Sequence, residues 1–117
     1  MSEVIQNTSE TKLSIPSSKT LFKAAEFSII LEKPICLDYY KDSLYKADND
    51  NFEKSENGCK LGISGEDTIL YKNPEEYTSP VRKMYKIVDE NNKIPDYILE
   101  TQNSIYIVSG LLFEKKN

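Results

Sequence analysis

The segment that most constrains the fold runs from residue 75 to residue 109, EEYTSPVRKMYKIVDENNKIPDYILETQNSIYIVS. Three runs in it, at 81–88, 96–101 and 104–109, are rich in β-branched and aromatic residues and alternate partly between apolar and polar positions. A polar loop separates the first two runs. Gln102-Asn103 forms a two-residue connection between the last two, since asparagine tolerates a left-handed conformation. The segment therefore predicts three short antiparallel strands.

Further strand candidates lie on either side of this segment. Residues 59–63 and 68–72 predict a hairpin, in which Gly65 supplies the unusual backbone conformation of the turn. Residues 27–31, 35–40 and 111–114 are also apolar enough to be strands. In the run 81–88, Val81, Tyr85 and Ile87 are expected on one face. No strand is followed by a helix of 10–15 residues, so parallel βαβ units are not expected.

Helical signals are few. Residues 19–27, KTLFKAAEF, are compatible with a helix or a strand, and we favour a short amphipathic helix because Leu21, Phe22 and Ala25 have helical spacing. The sequence Asn73-Pro74-Glu75-Glu76 predicts one helical turn at 74–78. The expected fold class is therefore all-β, or β-rich α+β: a small antiparallel barrel or sandwich of six or seven short strands with one short helix.

The length of 117 residues is that of one domain. Leu, Ile, Val and Phe together make up about a quarter of the chain, which is enough for a single modest core. Residues 1–18 are rich in Ser, Thr, Glu and Asn and predict a flexible N-terminal arm. The highly charged stretch 46–58 predicts a solvated loop. A single β-rich domain is thus expected over residues 19–117.

Composition excludes the usual catalytic and metal-binding groups. The chain has no His, which is the commonest general base and the commonest metal ligand in proteins. Its two cysteines, Cys36 and Cys59, are too few for a Cys-only metal site and lack a His to form a thiolate. The acidic loop fails the calcium-binding template where it requires Gly and Glu. We therefore expect no catalytic residues, no metal, no cofactor and no enzymatic activity.

Charge and hydropathy also limit the kinds of partner that we expect. The net charge is −4, and Arg82 is the single arginine among 15 cations, which disfavours nucleic-acid binding. The N-terminal sequence MSEVIQNTSETK lacks the apolar stretch of a signal peptide, and no run approaches the ~18 apolar residues of a membrane span. The sequence therefore predicts an intracellular protein without membrane contact.

The most distinctive polar cluster is Tyr77-Thr78-Ser79-Pro80 with the nearby Arg82. Its hydroxyls suit the free backbone groups of a turn. As an alternative, the cluster forms a polar rim where Arg82 meets an anionic ligand or a carboxylate of a partner. Together with Tyr106 of the last hairpin, Tyr77 and Arg82 are the predicted binding residues.

Residues 75–87 and 97–109 resemble segments of short, uncharacterised proteins of large DNA viruses and phages. The resemblance rests on the YTSP element followed by a strand, and on the T-x-N-S-I-Y hairpin. It implies a viral or phage origin, and hence a location in the cytoplasm of a host cell. It brings no known activity.

Two functions are compatible with these observations. The first is a non-enzymatic protein-binding module that acts as an oligomer on a virion component or a host factor, because short strands leave edges that must be covered or used. The alternative is a protein that sequesters a small anionic nucleotide signal, through Arg82, lysines and stacked tyrosines, and so counters host defence. An enzyme built from Asp, Glu, Lys, Tyr or Cys has no motif to support it.

Overall fold

The computed structural model describes residues 15–44 and 58–113. The predicted arm up to residue 14, and residues 46–57 of the predicted loop 46–58, lie outside the described residues. Within the described ranges the chain is strand-rich, as predicted, with two helices, seven strands and a final 3-10 helix. In chain order these are α1 Ser18–Leu31, β1 Ile35–Cys36, α2 Tyr40–Ser43, β2 Lys60–Ser64, β3 Asp67–Asn73, β4 Glu76–Tyr77, β5 Val81–Ile87, β6 Asp96–Thr101, β7 Ile105–Ser109 and the 3-10 helix Gly110–Phe113.

The strands form two sheets, one with the order β1-β7-β6-β5 and the other with the order β2-β3-β4. All neighbouring strands are antiparallel except β1, which pairs with β7 in parallel. One cluster of buried side chains fills the space between the sheets: Tyr39, Cys59, Leu70, Leu99 and Val108. A second cluster lies between the larger sheet and α1: Ala24, Tyr40, Ile87, Ile98, Ile105 and Ile107. The larger sheet is therefore the middle one of three layers.

The hairpins form where the sequence predicts them. β2 and β3 pair from Lys60–Tyr71 to Ser64–Asp67, and Gly65 has a φ of 66° in the turn between them. Residues 102 and 103 connect β6 to β7, closed by a 2.9 Å hydrogen bond from the Thr101 amide to the Ser104 carbonyl. Local turn chemistry was sufficient to predict both connections.

The strand predicted at 27–31 is wrong, because α1 continues through these residues to Leu31. Thr20, Ala24, Phe27 and Leu31 recur at helical spacing and face the sheet. Burial of this row favours a helix over the strand propensity of Ile29 and Ile30. Glu32 then ends the helix with a left-handed φ of 57°.

Three other predicted elements are wrong. Of 35–40 only Ile35–Cys36 is a strand, because the chain turns to place Tyr40 at the start of α2. No helical turn forms at 74–78: Glu76–Tyr77 pairs with β3 instead, and the Asn73 side chain accepts the Glu75 amide in a turn. Residues 110–113 form a 3-10 helix rather than an edge strand, because the Ser109 hydroxyl accepts the Leu111 amide.

The face predicted for Val81 is also wrong. A bulge between Val81 and Lys83 shifts the register of β5 against β6. Val81 therefore packs between the sheets, while Tyr85 and Ile87 pack towards α1.

The left-handed residue at the end of α1 gives a direct test of this helix. A side chain in this conformation costs about 1–2 kcal/mol, which glycine avoids, although glycine makes the unfolded chain less ordered. We expect Glu32→Gly to raise the free energy of unfolding by about 0.5–1 kcal/mol in urea denaturation. The matched control, Glu26→Gly inside the helix, is expected to lower it by about 1 kcal/mol. A loss of stability in Glu32→Gly would contradict the assigned helix end.

Candidate functional site

The three binding residues predicted from the sequence lie on three different strands. Tyr77 on β4 is 56% exposed, and its ring packs against Tyr71 at 5.5 Å between centroids. Tyr106 on β7 is half-buried and packs edge-on against Tyr39 at 5.4 Å. Arg82 is exposed on β5, and β6 separates its strand from β7, so the two strands run about 10 Å apart. Arg82 and Tyr106 are therefore two strands apart in the larger sheet, and Tyr77 belongs to the smaller sheet.

The neighbouring Thr78 is used by the fold. Its hydroxyl accepts the Leu70 amide at 3.3 Å and donates to the Ser79 carbonyl at 2.7 Å. The side chain therefore satisfies backbone groups at the end of β4, as one of the two interpretations of the sequence predicted.

Lys72 joins α2 to the smaller sheet. Its Nζ lies 3.2 Å from Asp42 Oδ2, 3.8 Å from Glu76 Oε2 and 5.0 Å from the centre of the Tyr39 ring. Burial alone would lower the pKa of Lys72, but the hydrogen bond and charge of Asp42, with the charges of Glu76 and Asp38, outweigh burial and raise it. Lys72 is thus a paired cation rather than a general base.

The phenols and thiols beside Lys72 are held in their neutral forms. Burial is the main cause that raises the pKa of Tyr39, Tyr106 and Cys36, and it raises the pKa of Cys59 to about 12. A nucleophilic cysteine requires the opposite shift, because only the thiolate attacks. Both cysteines are free thiols. The cluster therefore has the chemistry of a packed core and lacks an activated group.

Asp96 is the most buried carboxylate of the described residues, with 6% exposure. Its Oδ2 accepts the Ser17 amide at 2.9 Å and the Thr20 hydroxyl at 2.7 Å, and its Oδ1 accepts the Tyr40 hydroxyl at 3.2 Å. An open cleft of about 420 Å³ lies beside it, bordered by Ile15, Leu44 and Lys93 among others. Protein donors bind both oxygens of Asp96. The carboxylate therefore positions α1 and α2 rather than binding a ligand in the cleft.

Metal sites and membrane-spanning helices are absent from the described residues. Across residues 15–44 and 58–113, no three Cys, Asp or Glu side chains are grouped so that they would hold a metal ion. In the same part of the chain, no helix has both the length and the apolar character needed to cross a membrane.

Several large apolar side chains are exposed on the outer face of α1. Phe22 is 69% exposed and Ile29 is 77% exposed, and Ala25 lies between them on the same side of the helix. Leu21 and Ile30 lie at the two margins of this row. We call the five residues the outer helix face. It points away from the row of Thr20, Ala24, Phe27 and Leu31 that packs on the sheet.

A second exposed surface lies along β5, the outermost strand of the larger sheet. Arg82, Lys83 and Lys86 are exposed there, and Met84 is 49% exposed among them. We call these four residues the cationic edge.

Sequence reasoning found one of these surfaces in part and missed the other. Arg82 was predicted as a binding residue, and it belongs to the cationic edge. The outer helix face was missed because 27–31 was interpreted as a strand. The available signal was a helix with apolar residues on both sides, which is unusual for the surface of a small domain.

Comparison with known proteins adds no relative. No family model matches the chain. Neither the curated proteins nor the solved structures give a significant match.

The Asp96 network predicts a large effect of a small change. Asp96→Asn replaces one carboxylate oxygen by an NH2 group, which cannot accept, so either the Ser17 and Thr20 donors or the Tyr40 hydroxyl loses its acceptor. We expect a loss of about 3 kcal/mol in the free energy of unfolding, measured in urea. The matched control, Asp67→Asn in the exposed β2–β3 hairpin, is expected to change it by less than about 0.5 kcal/mol. Equal effects of the two substitutions would contradict the role of Asp96.

The raised pKa values predict that stability decreases in alkali. Below the ordinary pKa values of 9.0 for Cys59 and 10.0 for Tyr39, both groups are protonated in the folded and unfolded chains. Their ionisation therefore does not lower the free energy of unfolding in this range. Above them the unfolded chain loses these protons while the folded chain keeps them, so the free energy of unfolding falls. Tyr39→Phe is expected to make this fall shallower, and Tyr77→Phe, at an exposed tyrosine, is the control. Urea titrations from pH 7 to 11 measure the slopes. A flat wild-type profile would exclude this coupling.

Proposed function

We propose that this protein is a non-enzymatic protein-binding domain that acts as an oligomer, and that the outer helix face joins two copies of the chain. The observation that carries the proposal is the row of large apolar side chains on that face, with Phe22 and Ile29 each about two-thirds exposed or more. Single exposed apolar residues are ordinary on soluble proteins, whereas a contiguous apolar patch is typical of an interface.

The spacing of this row fits a second copy of the same helix. Phe22, Ala25 and Ile29 are three and four residues apart, which is the repeat of a helix-pairing seam. In an antiparallel pair related by a two-fold axis close to Ala25, Phe22 of one copy faces Ile29 of the other. The small Ala25 then allows the two backbones to approach closely.

Charge does not oppose this arrangement. The outer helix face has no charged member, and the adjacent Lys23 and Glu26 form an ion pair with each other at 3.1 Å. The interface would leave no buried charge without a partner.

A binding role rather than catalysis is supported by the chemistry of the interior. Lys72 is paired with two carboxylates, Asp96 is occupied by three donors, and the thiols of Cys36 and Cys59 have raised pKa values. General acid–base and nucleophilic catalysis depend on groups with pKa values shifted towards neutrality. The viral or phage origin, the host-cell cytoplasm and a virion or host partner rest on the sequence resemblance alone and stay predictions. The same holds for the nucleotide-sequestering alternative.

Sedimentation velocity over a concentration series tests the self-association. We expect the wild type to reach a dimer with a dissociation constant of about 10 μM, because one helix face buries less than a standard interface. The double variant Phe22→Ser/Ile29→Ser is expected to remain a monomer with unchanged circular dichroism. The matched control is Ile63→Ser, since Ile63 is an equally exposed isoleucine on β2, at 74%.

A disulfide cross-link tests the geometry of the proposed dimer. Ala25→Cys places one introduced thiol per copy next to the proposed axis, so mild oxidation is expected to give a disulfide-linked dimer within the range that disulfide geometry allows. The native Cys59 thiol is buried, and the partly exposed Cys36 is replaced by Ser in both the cross-linking variant and its control. A wild type that remains monomeric at about 100 μM, or a double variant that still dimerises, would overturn the proposed interface.

A further inference from the structure

The cationic edge differs from the outer helix face in both geometry and charge. β5 pairs with β6 over Val81–Ile87, and no described strand pairs with the opposite side of β5. Alternate backbone N–H and C=O groups of its seven residues therefore point outward from the sheet. Such a row is a template for one more strand.

The charges of this edge select against a second copy of the chain. If two β5 strands paired antiparallel about Met84, Arg82 of each copy would lie opposite Lys86 of the other. Like charges directly opposite each other destabilise strand pairing. In a chain with a net charge of −4, three exposed cations on one strand attract an acidic partner instead.

Met84 distinguishes a binding edge from a merely protected one. Lysines alone commonly block unwanted pairing at sheet edges. Here an apolar side chain that is 49% exposed lies two residues from Lys86 on the same face of the strand. An incoming strand would therefore place an apolar residue opposite Met84 and an acidic residue opposite Lys86.

We propose that the edge of β5 binds an acidic, extended segment of another protein by strand addition. The segment has an apolar residue opposite Met84 and Asp or Glu residues opposite Arg82, Lys83 and Lys86. Backbone hydrogen bonds to β5 hold it in register, and Arg82, Lys83 and Lys86 select its charge. This inference goes beyond the proposed self-association, because α1 covers a face of the sheet whereas the incoming strand uses its edge.

Peptide binding measured by fluorescence anisotropy tests the charge selection. The probe is a labelled nine-residue peptide that has Glu at the positions opposite Arg82, Lys83 and Lys86 in antiparallel pairing and Val elsewhere, and its counterpart has Lys in place of Glu. We expect the Glu peptide to bind at least about tenfold more tightly at low salt. Arg82→Glu/Lys86→Glu is expected to weaken its binding by about tenfold or more. Lys41→Glu, at an exposed lysine on α2, is the matched control and is expected to change binding by less than about twofold.

Backbone methylation separates strand addition from simple charge attraction. Two versions of the Glu peptide, N-methylated at odd or at even residues, each lack the amide donors of one edge. Strand addition uses one edge, so the two versions are expected to differ by about tenfold in affinity. In hydrogen exchange, amides of β5 are expected to slow when the unmethylated peptide is bound.

Each contrary result overturns the inference. These results are an absence of binding by the Glu peptide, equal binding of the Glu and Lys peptides, no effect of the Arg82→Glu/Lys86→Glu change, or equal affinity of the two methylated peptides. The titration is repeated on the Phe22→Ser/Ile29→Ser variant. Peptide binding that persists in this variant shows that the cationic edge acts without the dimer, so failure of either proposal is distinguished from failure of the other.

Discussion

The buried carboxylate of Asp96 is the interaction that attaches both helices to the larger sheet. It lies at the start of β6, inside the larger sheet, and accepts hydrogen bonds from Ser17 and Thr20 at the beginning of α1 and from Tyr40 of α2. Three donors, together with the positive end of the α1 dipole, offset the cost of removing a charge from water. Both helices are therefore attached to the sheet at a single side chain.

This attachment determines which side of α1 remains exposed. With Thr20 bonded to Asp96, the helix turns Ala24, Phe27 and Leu31 onto the sheet and leaves Phe22 and Ile29 in solvent. A 14-residue helix with apolar side chains on both sides buries only one of these sides within this domain. The outer helix face and the cationic edge differ in charge, since one is uncharged and the other carries three cations.

Local sequence patterns were sufficient for β2, β3, β5, β6 and β7, because each combines β-branched or aromatic residues with a turn of defined chemistry. They were insufficient at 27–31 and 111–113. There the same apolar residues are compatible with a helix or a strand, and packing on the sheet decided at 27–31 while the Ser109 hydroxyl decided at 111–113. Arg82 was predicted from its position beside the polar cluster Tyr77-Thr78-Ser79-Pro80. The outer helix face was not predicted, because its residues were divided between two expected elements.

The amino-acid sequence by itself determined the strand-rich class and the hairpins, because alternation and turn residues act over a few positions. The absence of His follows directly from composition. Only the tertiary structure decided that α1 extends to Leu31, that β1 pairs in parallel with β7 and that Val81 faces the opposite side from Tyr85. These features depend on contacts between residues far apart in the chain. Their energy comes from burial and hydrogen bonds that exist only after the layers are assembled.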